Sequence, residues 1–218
     1  MLSLLSRPAA EPGATRRRLP VELWALIFTS VHDLPSLSSC AKVSRVLYEA
    51  AMPSLYGTVV VRELNTLNGE MPPKSPFIAI NAHPHLRMYV RTVIHEAFPT
   101  PRFRDRTPPV NGTQWTAQLP MLPNLTSYRF APSLPLDMTT ISLFSALVDV
   151  LLECHSLVDV TWQCSIDETT LPIVLRLTQV RNLTINYLQR SANLKWLDHL
   201  EGTYRLEELH ILVKLWLL

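Results

Sequence analysis

The sequence predicts an α+β chain: a short helical unit near the N-terminus, then a longer region in which short strands alternate with helices. Three observations carry that reading. Leucine supplies 37 of the 218 residues, while glycine supplies only 5. Apolar residues recur at helical spacing between residues 19 and 56. Further along, four segments repeat one short hydrophobic pattern. The rest of the composition narrows the function classes. Hydrophobic residues make up 47% and charged residues 17%, which excludes a wholly disordered chain. A net charge of +2 sets up no overall field toward nucleic acid. Five glycines, with no GxGxxG or GxxxxGK[ST] string, leave no glycine cradle for a phosphate, and no cofactor is expected.

Residues 1–17 are rich in proline, alanine and arginine and read as a flexible tail. The opening apolar run MLSLLSRPAA is short, and Arg16, Arg17 and Arg18 follow it, the reverse of the charge order in a signal peptide. The arginine triplet reads as a solvated flank, with a weak nuclear address as the alternative. No apolar stretch reaches the roughly 18 residues that a membrane span needs. The expected location is therefore cytoplasm or nucleus, with no membrane partner. Cys40, Cys154 and Cys164 are an odd, sparse set and form no disulfide framework. The sequons at Asn111, Asn124 and Asn182 would matter only in a secreted chain.

The first helix begins around Pro20, which suits a first turn because its missing N–H has no partner to lose. Glu22 lies near the positive end of the helix dipole. Leu23, Ile27 and Val31 recur at helical spacing, with Trp24 and Phe28 beside them, so the apolar face is broad. His32–Asp33 breaks the run. A second helix carries Leu34, Leu37, Cys40 and Val43 as its stripe. Ser44 opens a third, with Leu47, Ala50 and Ala51, and Pro53 is expected to stop it. Three short helices in so few residues bury no self-sufficient core. Leu19, Pro20, Leu23 and Ile27 could be packed inside, or could form a compact apolar surface of the kind that anchors interfaces.

The string Leu19-Pro20-x-Glu22-Leu23-x-x-x-Ile27-Phe28, then Leu34, Leu37, Cys40 and Val43-Ser44-Arg45, then Ala51-x-Pro53-x-Leu55-Tyr56, resembles an F-box, and its ending is similar to fungal F-box proteins. The match covers residues 18–57. Leu47 departs from the pattern, because many members place an aromatic residue there. The resemblance implies a three-helix domain that binds a Skp-family adaptor and, through it, the cullin scaffold of an SCF-type cullin–RING ubiquitin ligase. It also implies that Leu19, Pro20, Leu23 and Ile27 face the adaptor, with Val43 and Leu47 contributing from the later helical part.

Residues 58–218 form the second region. Val59, Val60 and Val61 suit a short strand. Residues 63–80, with Asn68–Gly69 and Pro72–Pro73, read as loop. The repeated pattern, hydrophobic-x-x-hydrophobic-x-hydrophobic, then falls at Leu125/Tyr128/Phe130, Leu157/Val160/Trp162, Val180/Leu183/Ile185 and Leu206/Leu209/Ile211, with Val90/Val93 as a weaker early member. The starts lie 35, 32, 23 and 26 residues apart. Leucine-rich repeats run roughly 20–29 residues, so the earlier intervals need insertions, for which Pro99–Pro109 and Pro132–Pro135 are candidates. The segment ISLFSALVDVLLEC reads as an outer helix with Leu143, Leu147, Val150 and Leu151 on one side. The expectation is an irregular leucine-rich-repeat-like solenoid arc, with another α/β arrangement as the alternative. The closing run ILVKLWLL carries no polar cap, so the arc is expected to be incomplete at the C-terminus.

No catalytic set is evident. His83 and His85 flank Pro84 and lack a third ligand, so no metal site is expected. Cys154–His155 are adjacent, and adjacent residues on a regular element diverge, whereas a Cys–His nucleophile needs hydrogen-bond reach. Asp167–Glu168 reads as a solvated loop. Trp24, Trp115, Trp162, Trp196 and Trp216 are dispersed and lack a basic stripe, so they form no stacking platform for nucleic acid. The expected function is non-catalytic substrate recognition, with the arc holding a target protein whose identity the chain does not specify. The alternatives are an F-box scaffold acting outside ubiquitin ligases and a small α/β hydrolase. A buried pocket containing Cys154 or a histidine with a polar partner would favour the hydrolase.

Overall fold

A computed structural model describes residues 19–64, 76–98, 115–131, 141–166, 169–188 and 208–211. The chain divides into two compact units, Met1–Ala51 and Met52–Leu218. The expected tail at 1–17 lies outside the described residues.

Local capping explains where the first three helices begin. The Pro20 carbonyl accepts the N–H groups of Leu23 and Trp24 at 3.2 and 3.3 Å. Pro20 is thus the cap of α1 (Val21–Thr29), one residue ahead of the first turn where the sequence places it. Asp33 caps α2 (Leu34–Ala41): its carboxylate accepts the Ser36 N–H at 3.0 Å and the Ser36 hydroxyl. Ser44 opens α3 (Arg45–Tyr56), its hydroxyl oxygen accepting the Leu47 N–H at 3.2 Å. Pro53 does not stop this helix, contrary to expectation. A proline costs a helix its own N–H bond and crowds the carbonyl one turn earlier, yet α3 runs on past it, and the Pro53 carbonyl accepts the Gly57 N–H at 2.9 Å. The stop is Gly57, where a Cβ would lie 2.3 Å from the Pro53 carbonyl oxygen.

In the first unit, Phe28, Leu37, Ala41, Ala50 and Ala51 are buried. The Trp24 ring stacks on Phe28 at 6.0 Å between centroids. The expected stripe of α2 is only partly inside, because Leu34 and Val43 are exposed.

The second unit is built on six parallel strands: β1 (Thr58–Leu64), β2 (Thr92–Phe98), β3 (Ser127–Phe130), β4 (Asp159–Ile166), β5 (Asn182–Leu188) and β6 (Glu208–Ile211). Their order in the sheet is the order of the chain, β1 to β6. A doubly wound sheet would reverse direction at a switch point and bind ligand there; no reversal occurs among the described strands. The register aligns Val59, Val93, Tyr128, Val160, Leu183 and Leu209 in one row, and Val61, His95, Phe130, Trp162, Ile185 and Ile211 in the next. From β1 to β5 both rows are buried, as the two-residue period of a strand requires when one face is covered.

The same turn precedes each strand from β2 to β5. The Gly57 carbonyl accepts the N–H groups of Arg91 and Thr92. The Arg91 carbonyl takes those of Thr126 and Ser127, the Thr126 carbonyl those of Val158 and Asp159, and the Val158 carbonyl those of Arg181 and Asn182. A buried residue sits three positions before the first buried strand residue each time: Val90, Leu125, Leu157 and Val180. Val90/Val93 is therefore a full member of the series, and β1 adds a strand that the spacing does not reveal.

Two more expectations change. Residues 63–80 are not all loop, since β1 continues to Leu64 and α4 (Pro76–Ala82) buries Phe77 and Ile80. On α5 (Ile141–Leu152) the buried stripe is Phe144, Leu147, Val148 and Leu151, while Val150 is half-buried. Phe144 sets this rotation by meeting Phe130 at 5.6 Å and Trp162 at 5.2 Å between ring centroids. The segment α6 (Leu171–Val174) adds Leu171 and Val174 to the same core. Short 3-10 helices at Pro84–Tyr89 and Thr116–Met121 complete the covered side. The proline-dense stretches at Pro99–Pro109 and Pro132–Pro135 lie outside the described residues, as do the side chain of Leu143, residue Leu206 and all of the closing run after Ile211.

Candidate functional site

Helix α1 is apolar on more than one side. Phe28 is buried and Trp24 half-buried, which accounts for one face. At 3.6 residues per turn, Leu23 and Ile27 are turned from Phe28 by about 140° and about 100°, and Leu19 precedes the Pro20 cap. Leu19, Leu23 and Ile27 are 44%, 46% and 45% exposed. A helix that is apolar all round is normally enclosed; this one is covered on one face only. Leu26, 66% exposed, lies on the same outward face. The sequence analysis gives it no role, although its place three residues after Leu23 and seven after Leu19 is the signal for it.

The remaining predicted contacts sit as follows. Pro20 is exposed at the cap of α1. Val43, just after α2, is 73% exposed, whereas Leu47 in the first turn of α3 is half-buried. Among the described residues, nine of the twelve large exposed hydrophobics fall between Leu19 and Tyr48. The first unit thus carries a concentration of apolar surface that the sheet does not, and such surface marks interaction sites.

The sheet offers a second surface. Opposite the two buried rows stand Val60, Ile94, Arg129, Thr161 and Thr184 in one register, and Thr58, Thr92, Ser127, Asp159 and Asn182 in the next. Thr58 and Arg129 are exposed and the others half-buried. Arg62 Nε donates to Glu96 Oε2 at 2.9 Å across β1 and β2. Asn182 Nδ2 donates to Asp159 Oδ1 across β4 and β5. This is a structured, mainly polar face with Val60 and Ile94 as its apolar members.

The residues considered for chemistry are placed differently. Cys154 is buried and its thiol donates to the Val150 carbonyl at 3.5 Å, while His155 is exposed, so the pair diverges. Burial, with the Glu153 charge adding to it, pushes the Cys154 thiol up to about 12. Burial likewise pushes Cys164 up to about 12. A cysteine nucleophile needs the opposite shift. Cys154 occupies the position that Leu122 and Leu177 occupy in neighbouring turns, and serves as a small apolar filler.

His95 is the functional-type residue that sequence reasoning passes over. It is buried in the second apolar row, where β3 and β4 carry Phe130 and Trp162. Its Nδ1 lies 2.8 Å from the Tyr128 hydroxyl, the roles depending on the imidazole tautomer. The hydrolase alternative asks for a histidine with a polar partner inside a buried pocket. A general acid or base must also reach the proton it moves. Here Trp115 and Phe130 meet the imidazole edge-on at 4.7 and 4.9 Å. The geometry makes His95 a cross-strand tie between β2 and β3. The only signal for it is the residue number itself, two after Val93 in the alternating pattern.

His83 and His85 are exposed, with ring centroids 5.9 Å apart, beside the 3-10 helix that starts at Pro84. Among the described residues no group of three or more His, Cys, Asp or Glu side chains gathers as a metal site. No described helix is long and apolar enough to cross a membrane. Trp115 and Trp162 are core residues, and Asp167–Glu168, Trp196 and Trp216 lie outside the described residues. Compared with known proteins, the chain matches no family model and no curated relative.

Proposed function

We propose that the chain is a non-catalytic substrate-recognition subunit of an SCF-type cullin–RING ubiquitin ligase. In this reading the helical unit is an F-box that binds a Skp-family adaptor through Leu19, Pro20, Leu23 and Ile27, with Val43 and Leu47 contributing. The six-stranded region is an irregular leucine-rich-repeat-like arc that holds a target protein. The adaptor connects the chain to the cullin, and the target's lysine is kept near the charged conjugating enzyme. This raises the effective concentration of the reacting groups, while other subunits supply the chemistry.

One observation carries the reading: Leu19, just ahead of α1, and Leu23 and Ile27 on it stay exposed while Phe28 is buried. Leaving three large aliphatic side chains exposed within nine residues costs solubility, and a partner that covers them removes that cost. The strictly sequential parallel sheet supports the second half, because stacking near-identical turns is how repeat proteins build extended binding surfaces.

The test is co-expression of the full chain with a Skp-family adaptor. A stoichiometric complex is expected, and the double substitution Leu23→Asp, Ile27→Asp abolishes it while the far-ultraviolet circular dichroism is retained. Failure of the wild-type chain to co-purify with the adaptor overturns the reading. Adaptor capture without any cullin in the pulldown moves the protein to the scaffold role outside ubiquitin ligases.

A further inference from the structure

Arg129 stands at the centre of the open sheet face. It projects opposite Tyr128 and Phe130, which are buried, and is itself exposed. Its register neighbours are Ile94 on one side and Thr161 on the other, neither of which can neutralise a charge. The two nearest carboxylates along the adjoining strands have other partners: Glu96 is held by Arg62, and Asp159 by Asn182. Among the described residues Arg129 forms no ion pair and no hydrogen bond. Among the described side chains of the face, Arg62 and Glu96 form an ion pair and Asp159 is held by the neutral Asn182 amide, while the Arg129 guanidinium has no partner.

We propose that this face binds an extended segment of a protein partner that places an aspartate or glutamate carboxylate on Arg129. The inference rests on reading the sheet face as the target side. A guanidinium fork matches a carboxylate with two parallel N–H···O bonds. Phosphate-reading sites gather a cluster of arginines, whereas Arg129 is flanked on the neighbouring strands by Ile94 and Thr161.

The neighbours of Arg129 also set the context of that acid. Ile94 lies one strand away and Val60 two, both half-buried and apolar. Strands are spaced about 4.8 Å apart, and residues two apart in an extended segment are separated by about 7 Å. A segment crossing the strands with its acid on Arg129 therefore sets the side chain two residues on over Val60 and Ile94. The preferred motif is acid-x-aliphatic.

The probe is an array of nine-residue peptides with Glu, Asp, Gln, Lys or phosphoserine at the centre and Leu or Ser two residues on. It is read with the full chain co-expressed with the adaptor. Charge-assisted hydrogen bonds contribute about 1.5–3 kcal/mol, so Glu or Asp with Leu should exceed Gln with Leu by about tenfold or more. Arg129→Gln should erase that preference, and Arg129→Glu should turn it toward Lys. Absence of peptide binding, equal binding of Glu and Gln, a phosphoserine signal well above Glu, or an acid preference that survives Arg129→Gln each overturns the proposal. Adaptor co-purification is scored on the same preparation. Its loss with the acid preference intact defeats the ligase reading alone, and the reverse outcome defeats the Arg129 assignment alone.

Discussion

In the first unit Leu23, Leu26 and Ile27 are left facing solvent, whereas in the sheet Leu125, Leu157, Val160 and Leu183 are sealed. Both regions draw on the same aliphatic residues. What differs is the number of neighbours the chain itself provides. Each central strand has strands on both sides and helices over one face, so every second residue finds cover. Helix α1 has apolar residues on two faces, and only the face bearing Phe28 is covered. A low charge fraction is therefore not a measure of core size. In the sheet it reflects burial, and in the helical unit it reflects apolar side chains left exposed.

The largest expected contrast comes from Trp162. Its ring meets Tyr128, Phe130 and Phe144 at 6.4, 5.5 and 5.2 Å between centroids. Trp162→Ala should destabilise the sheet region by about 3–5 kcal/mol in denaturant unfolding. Trp162→Phe should cost clearly less, because it leaves a smaller cavity and removes a buried indole N–H that has no partner among the described residues. Equal costs for the two would mean that a phenyl ring recovers none of the packing the indole makes with Tyr128, Phe130 and Phe144.

The buried cysteines sharpen the contrast through pH. Both thiols are raised in the folded chain from 9.0 to about 12. The folded state thus holds their protons where the unfolded chain releases them. Their contribution is fully present below pH 9 and is lost as pH rises from 9 toward 12. Unfolding at graded pH should show this alkaline loss, and Cys154→Ala, Cys164→Ala should flatten it. At pH 8 a thiol reagent should modify Cys40, which is partly exposed, long before the other two. Prompt reaction of all three in the native chain would contradict the assignment of Cys154 and Cys164 to the core.

Which parts were legible in the sequence follows from how local their causes are. Strands β3, β4 and β5 were readable, because Leu125/Tyr128/Phe130 and its successors repeat a short pattern with side chains on one face. Strand β1 was not recognisable as a member of that series, since its turn is formed by Gly57 at the end of a helix and lacks the leading leucine. Pro53 looks like a stop in the sequence because an interior proline is costly to a helix, whereas α3 continues past it to the close approach of Gly57 to the Pro53 carbonyl. On the site, the spacing of Leu19, Leu23 and Ile27 gave the face of α1. That these side chains stay exposed depends on how the three helices pack together, which no local pattern records. Arg129 was invisible for a similar reason: an arginine between Tyr128 and Phe130 becomes distinctive only once Glu96 and Asp159 are seen to have other partners.

A smaller effect is expected at the helix caps of the first unit. Asp33 accepts the Ser36 N–H and hydroxyl at the start of α2. Asp33→Ala should lower the stability of that unit by about 1 kcal/mol, within the 0.5–2 range for lost caps. Asp33→Asn should recover most of it, since an amide oxygen can accept the same N–H. Hydrogen exchange of the α2 amides gives the measurement, and an unchanged rate in Asp33→Ala would remove the cap from the account of this helix.

The smallest effect on folding is expected where the effect on binding should be greatest. If the outward face of α1 is surface, Leu23→Ala and Ile27→Ala remove side chains that lack native neighbours on that side. Each should change stability by no more than about 0.5 kcal/mol, as exposed substitutions do. A buried leucine or isoleucine cut to alanine would instead cost about 2–5 kcal/mol. Leu37→Ala in the same unit is the matched control, because Leu37 is fully buried one helix later. The comparison asks whether two leucines in one small unit differ severalfold in what their truncation costs. A Leu23→Ala cost as large as that of Leu37→Ala would place Leu23 in the core and leave the adaptor without its anchor. A negligible cost, joined to loss of adaptor capture, assigns Leu23 to binding, since a side chain that contributes nothing to folding can then matter only through what it meets outside the chain.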